Sequence, residues 1–276
     1  MTLGEHFAEL RKRLLRCVIG IAAGMILTFI FGREVFTVLF YPLSVATNGH
    51  PPPLRYLSLL EPFTTYFRVC LIVGTVAAGP YVLYQLWAFI AAGLYEHERK
   101  AISRYLVPSV LLFFTGVVFF FLIISPIVIS FLLQFGSSSY PTPPAPPEWA
   151  IKLLPSGVAM AASRPAGSSY VEPGLTLNEY ISFTAQMSLV FGLAFQMPLV
   201  VIILARLGIV PVSVFKRFRK YVFMIIIVVS AVITPTPDAL TMLAMALPMY
   251  LLYEIGLLIA PRKDRPRTVQ GERVQS

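Results

Sequence analysis

Between Tyr105 and Phe135 the chain runs for 31 residues without a charged side chain, and Val69–Tyr95 and Tyr180–Ala205 do the same over 27 and 26 residues. No water is available inside lipid to satisfy backbone N–H and C=O groups. A run of this length therefore crosses a bilayer as a helix, which pairs those groups internally. Folding the runs into a soluble globule would need polar surface to cover them, yet 57% of the 276 residues are hydrophobic and only 13% charged. The sequence thus specifies an all-α integral membrane protein.

Three further runs complete the count. Cys17–Gly32 has sixteen uncharged residues, Tyr221–Ile233 thirteen, and Ala239–Ala260 is interrupted by Glu254. Sixteen residues give roughly 24 Å of helix against a ~30 Å hydrocarbon core, so Arg16 and Arg33 must snorkel. The thirteen-residue run is shorter still, and with its neighbour it predicts two short helices that thin the bilayer locally. Before the first run, Leu3, Phe7, Leu10 and Leu14 recur at helical spacing with Glu5, Glu9, Lys12 and Arg16 on other faces, an amphipathic start that continues into the membrane. Its charges, and the lack of a small-residue cleavage site, argue against a cleaved signal peptide.

The connections differ in character. Pro42 and the Pro51–Pro53 run predict a loop over residues 36–62, lying against the outer surface. Pro80 predicts a kink, and the helix of Tyr105–Phe135, roughly 46 Å long, must tilt, bend at Pro108 or Pro126, or project from the membrane. Residues 136–175 are rich in Pro, Ser, Ala and Gly, too poor in apolar groups for a second domain. They read as an extended, partly disordered loop with a short helix near Trp149–Leu154. Thr176 or Asn178 caps the helix that follows.

Charge fixes the orientation. Seventeen of the 22 Lys and Arg fall in the amino end, the second and fourth connections and the tail, against Arg33, Arg55, Arg68, Lys152 and Arg164 in the others. The positive-inside rule then gives six transmembrane helices with both termini cytoplasmic, a membrane domain over 1–262 interrupted by a periplasmic loop at 136–175, and a basic tail over 263–276. The same rule accounts for the formal charge of +9, and with the cations beside apolar runs rather than along one polar face, nucleic acid is not implied.

Cys17 and Cys70 lie far apart with no CxxC or Cys/His spacing, so they read as packing thiols and no metal site is expected. HExxH, GxSxG and GxxxxGK are all missing, which leaves no catalytic residues, no cofactor and no nucleotide-driven pump. The polar groups set among apolar runs are few: Arg68, Gln196, Asp238 and Glu254. Arg68 and Asp238 stand near helix ends, where snorkelling explains them. Gln196, midway along its run and just before Pro198, needs a partner on another helix of this chain or on a second protein.

The stretch from Pro80 to Arg104 combines a long apolar helix, a break at Gly93, and a charged turn with Glu96, His97 and Glu98 ahead of Arg99 and Lys100. Glu9 and Glu98 are acids on a face crowded with cations. Each can pair with a neighbouring arginine, as Glu9 can with Arg13 at i+4. Alternatively, the two form a receptor for paired guanidinium groups, which bind carboxylates bidentately as lysine cannot.

The runs HFAELRKRLL (His6–Leu15), YQLWAFIAAGLYEHERK (Tyr84–Lys100), FGLAFQMPL (Phe191–Leu199), TPTPD (Thr234–Asp238) and LPMYLLYEIG (Leu247–Gly256) together resemble the TatC family of twin-arginine protein translocases. The resemblance implies a six-helix, glove-shaped fold with both termini cytoplasmic. It also implies a receptor for twin-arginine signal peptides of folded preproteins, which assembles into an oligomeric complex with single-span TatA- and TatB-type subunits and is driven by the proton-motive force. On matching positions, Glu9 and Glu98 resemble the carboxylates that receive the arginines. Phe89, Leu94 and Glu96 lie in the same region, and Arg11 and Lys12 match basic residues beside the first acid. Pro42 matches an outer-loop proline and Glu254 an acid of the last helix. Gln196 stands where many members carry a glutamate, and the loop at 136–175 is long for the family. The competing expectation is a proton-coupled secondary transporter of a small solute, which requires repeat symmetry and polar groups converging at midplane; a third is an accessory assembly subunit.

Overall fold

Leu3–Ile30 (α1) is a single helix of 28 residues, so the amphipathic start and the first apolar run form one rod. The structure is a computed structural model and describes residues 3–93, 104–138, 175–233 and 239–260. The expected acidic turn with Leu94, Glu96 and Glu98, the helix near Trp149–Leu154, Asp238 and the tail 263–276 lie outside the described residues.

Immediately after Phe31 comes a second helix, Gly32–Ala46 (α2), with Pro42 inside it. This corrects the expectation of a loop from Phe36. The prolines overstated the case, because Val35, Leu39, Leu43 and Ala46 form a stripe at helical spacing that α2 packs into an apolar cluster. Proline opens a helical turn by removing an N–H and crowding the carbonyl four residues back. Here the opening is filled: Leu43 N–H donates to the Tyr180 hydroxyl at 3.2 Å, and that hydroxyl donates to the Leu39 carbonyl at 2.8 Å. Tyr180→Phe keeps the ring, stacked on Phe40 at 6.2 Å, and loses only this bridge. It is expected to destabilise the protein by about 1–3 kcal/mol and to accelerate hydrogen exchange at the Leu43 amide; unaltered exchange there would refute the bridge.

The chain leaves α2 through Asn48 and Gly49, both at positive φ, with Gly49 N–H closing on the Ser44 carbonyl at 2.8 Å. The segment beyond is extended, as its prolines predict, and is tied down. Arg55 exchanges two backbone hydrogen bonds with Leu175 and Leu177, and Glu61 accepts from Leu57 N–H at 2.6 Å and Asn178 N–H at 3.3 Å. Asn178 is thus used in this lock, while Thr176 is the helix cap, accepting from Glu179 N–H at 3.3 Å.

Glu61–Ala77 (α3) and Gly79–Ala92 (α4) meet at a 55° bend with Pro80 in the first turn of α4, as expected of a proline at that position. Leu106–Phe119 (α5) passes through a wide π turn, Phe120–Ile124, into Ser125–Ser138 (α6). Ser125 N–H reaches back five residues to the Phe120 carbonyl, directly ahead of Pro126. Of the two candidate prolines, Pro126 is the one beside the distortion, because Pro108 lies in the first turn of α5, where no intrahelical N–H is needed. The helix persists to Ser138, slightly beyond the expected start of the loop at Gly136.

Leu177–Ala194 (α7) and Met197–Arg206 (α8) form the central span, broken at Phe195–Gln196 ahead of Pro198. In its most apolar stretch 56% of residues are buried within the protein, against 6% for α1, so α1 is peripheral and α7–α8 is the element around which the rest packs. Val212–Arg217 (α9), Arg219–Ile233 (α10) and Ala239–Ile259 (α11) complete the chain. Of the two final helices expected to be short, only α10, at 15 residues, is so; α11 has 21. The expectation of two short terminal helices is therefore corrected to one. Glu254 does not end the last helix, because Arg219 pairs with it at 2.8 Å and Tyr250 donates to it at 2.9 Å. Among the described residues four helices are long and apolar enough to cross a bilayer, and the bent α3–α4 pair makes a fifth.

Candidate functional site

His6, Glu9 and Arg13 recur at spacings of three and four, so they share one face of α1, and Gln85 and Phe89 share one face of α4. The two faces meet. The His6 ring packs on Phe89 with centroids 4.7 Å apart, and a side chain at Gly93 would come within ordinary contact of His6, 3.5 Å from its Cε1. Glu9 and Arg13 form an ion pair at 2.6 Å, with 24% and 17% of their side-chain surfaces exposed. Arg13 Nη1 also donates to Gln85 Oε1 at 3.4 Å, while Arg13 Nε is buried with no acceptor among the described residues. Arg11 and Lys12 are exposed on other faces of α1.

The local pairing of Glu9 with Arg13 foreseen from the sequence is therefore present. What the site offers is a half-buried carboxylate on the α1 face that meets an aromatic ring through His6 and a buried amide through Arg13, chemistry suited to a planar cation. Gln85 escaped the sequence analysis, although its signal was available: it is a lone amide within an uncharged run, the same feature that drew notice to Gln196.

Gln196 is buried, and its partner is another helix of this chain. Its Oε1 accepts from Ser109 Oγ and its Nε2 donates to the Ser109 carbonyl, both at 2.8 Å; Trp87 Nε1 donates to Ser109 Oγ at 2.9 Å. The network joins α4, α5 and the α7–α8 break. Neither Ser109 nor Trp87 was foreseen, since a serine or tryptophan in an apolar run is unremarkable until its neighbour is known. Pro42 sits behind the Tyr180 bridge, and Glu254 is held by Arg219 and Tyr250. Cys17 and Cys70 are free thiols, and among the described residues no group of three or more His, Cys, Asp or Glu is placed to hold a metal ion.

Residues 5–248 match the family described as Sec-independent protein translocase protein (TatC). The chain belongs to the TatC family. The TatC of Carboxydothermus hydrogenoformans is 32% identical over 273 residues, covering 99% of this chain and 98% of that protein. The TatC of Aquifex aeolicus is 33% identical over 268 residues, covering 97% and 98%. A crystal structure of the twin arginine translocase receptor TatC in DDM superposes with a TM-score of 0.74 at 32% identity, covering 93% of this chain and 99% of that one. The all-α architecture is thus the TatC fold of a multi-pass membrane protein. The family offers no support for the small-solute transporter alternative.

Proposed function

We propose that this TatC-family chain is the receptor for twin-arginine signal peptides and a core subunit of the Tat translocase, which exports folded proteins across the cytoplasmic membrane using the proton-motive force. The observation that carries this reading is the likeness, over nearly the whole of both chains, to solved twin arginine translocase receptors. Glu9 receives one guanidinium and Glu98 the other. Phe89, Leu94 and Glu96 contribute to the same recognition, with the basic residues Arg11 and Lys12 beside Glu9 in sequence. The chain performs no covalent chemistry.

Six transmembrane helices, with α10 as the short one, put both termini in the cytoplasm, in keeping with the asymmetry of Lys and Arg. Residues 1–262 then form the membrane domain around a periplasmic loop at 136–175, with 263–276 as a basic cytoplasmic tail. The partners are TatA- and TatB-type single-span subunits in an oligomeric receptor complex within the bilayer. Gln196, Glu254, Asp238 and Pro42 act in that assembly, Gln196 and Glu254 through the internal bonds described above.

Photocrosslinking of a signal peptide to the full-length protein in vesicles tests the proposal. Changing the peptide's two arginines to lysines, or Glu98→Lys in the protein, is expected to lower crosslinking by roughly 10–100-fold, the worth of one or two charge-assisted hydrogen bonds. Equal yields with Arg-Arg and Lys-Lys peptides would reject it.

A further inference from the structure

We propose that Arg13 is a built-in competitor for the signal peptide: its guanidinium occupies Glu9 in the empty receptor and must be displaced by an incoming cation, which sets an affinity threshold that every peptide must exceed. The inference rests on Glu9 being a signal-peptide contact.

Three observations distinguish this pair from an ordinary i,i+4 bridge on a helix surface. Glu9 and Arg13 are both largely withdrawn from solvent, so the carboxylate already holds a guanidinium at 2.6 Å. Arg13 is also engaged across the helix interface by Gln85, a residue only 4% exposed, through a long bond of 3.4 Å. Finally, Arg13 Nε is buried without an acceptor among the described residues. A buried N–H that has lost water and gained nothing is a standing penalty on the bound state of Arg13. The chain thus fills its own receptor site with a ligand of the right chemistry, imperfectly satisfied and therefore replaceable.

Displacement sets the threshold. A peptide guanidinium presents two parallel N–H groups to both carboxylate oxygens. The newcomer takes the carboxylate, and Arg13, on its flexible stem, swings to the headgroups and solvent, where Nε finds acceptors. An ammonium is a point charge without the fork and binds the carboxylate less well, but it meets the same competitor. Without Arg13, either cation would meet a bare carboxylate and bind more tightly by the same factor.

The test uses the full-length protein in lipid vesicles and two peptides that differ only in an Arg-Arg or Lys-Lys pair. Arg13→Gln keeps a hydrogen-bonding side chain and is expected to tighten Arg-Arg and Lys-Lys binding alike, roughly tenfold each, because the competitor is gone for both. Arg16→Gln, an exposed arginine on the same helix, removes equal charge and is expected to leave both affinities within about twofold. Unaltered affinities in folded Arg13→Gln, or an equal tightening in Arg16→Gln, would overturn the proposal. Should Arg13→Gln fail to fold, the unsubstituted protein decides. Its Arg13 Nε–H, followed by nitrogen-15 NMR, is expected to lose protection from exchange at saturating Arg-Arg peptide, and retained protection would overturn it equally. If the unsubstituted protein binds neither peptide, the receptor reading fails and takes this inference with it.

Discussion

Gly74→Leu is expected to drive α1 away from α3 and to abolish signal-peptide binding together with the native packing of the amino-terminal half. The two helices cross backbone to backbone at Gly24 and Gly74. A Cβ on Gly74 would lie 2.5 Å from Met25 N and 2.6 Å from its Cα, and one on Gly24 would run into the Gly74 carbonyl oxygen. Small residues that let helix backbones touch are a recurrent device where lipid offers no hydrophobic drive for association. Overpacking of a core ordinarily costs about 1–3 kcal/mol because side chains yield. Here the obstacle is backbone, so the helices themselves must part, and a loss of at least the upper end of that range is expected, which corresponds to a fall of roughly 6–12 °C in Tm. The damage reaches the site, because the α1–α3 contact holds the rod that presents His6, Glu9 and Arg13 to Phe89 and Gln85. Thermal unfolding in detergent, with peptide crosslinking on the same preparation, measures both effects. Gly4→Ala is the control, since a Cβ there meets nothing within 4 Å. Native Tm in Gly74→Leu would show that the crossing is not as close as described.

The second large effect is expected of Gln196→Leu. Leucine fills much the same volume but strands the Ser109 hydroxyl proton and removes a donor from the Ser109 carbonyl, both buried. Trp87 loses nothing directly, yet the hydroxyl that it donates to is no longer oriented by the amide. Losing two mutually reinforcing buried hydrogen bonds is expected to cost about 2–4 kcal/mol. Ser109→Ala removes the same hydroxyl, so a double-mutant cycle between the two positions should be strongly non-additive. A shift of Trp87 emission in a protein with Trp149 replaced gives the local readout. Additive costs would mean that the two residues do not act as one unit.

Much of this fold was legible because apolar run length is a local property. A stretch of 31 uncharged residues becomes a membrane helix whatever its neighbours, and Pro80 and Pro126 distort their helices through their own rings. The site was legible in part. Glu9 stood out as an acid in a basic segment, and the structure puts it beside Phe89's helix through the packing of α1 on α4. Arg13 was visible only as Glu9's near neighbour, because its contact with Gln85 joins residues 72 positions apart. The loop assigned to residues 36–62 went wrong over 36–46 for the same reason. Proline is a poor residue inside a helix when its turn is left open, and the hydroxyl that fills this turn comes from Tyr180, 137 residues from Leu43.

By itself, then, the sequence determined that the chain enters a membrane and which of its longest apolar runs become helices able to cross it. These follow from the cost of placing charge and unpaired backbone in hydrocarbon, which each segment incurs alone. Only the tertiary structure decided that α2 is a helix, that Gln196 is answered by Ser109 and Trp87, and that Glu9 is already occupied by Arg13 against Gln85. Those outcomes depend on which faces two distant helices turn toward each other, and that is set by close approach at points such as Gly24 and Gly74, which no segment specifies without its partner.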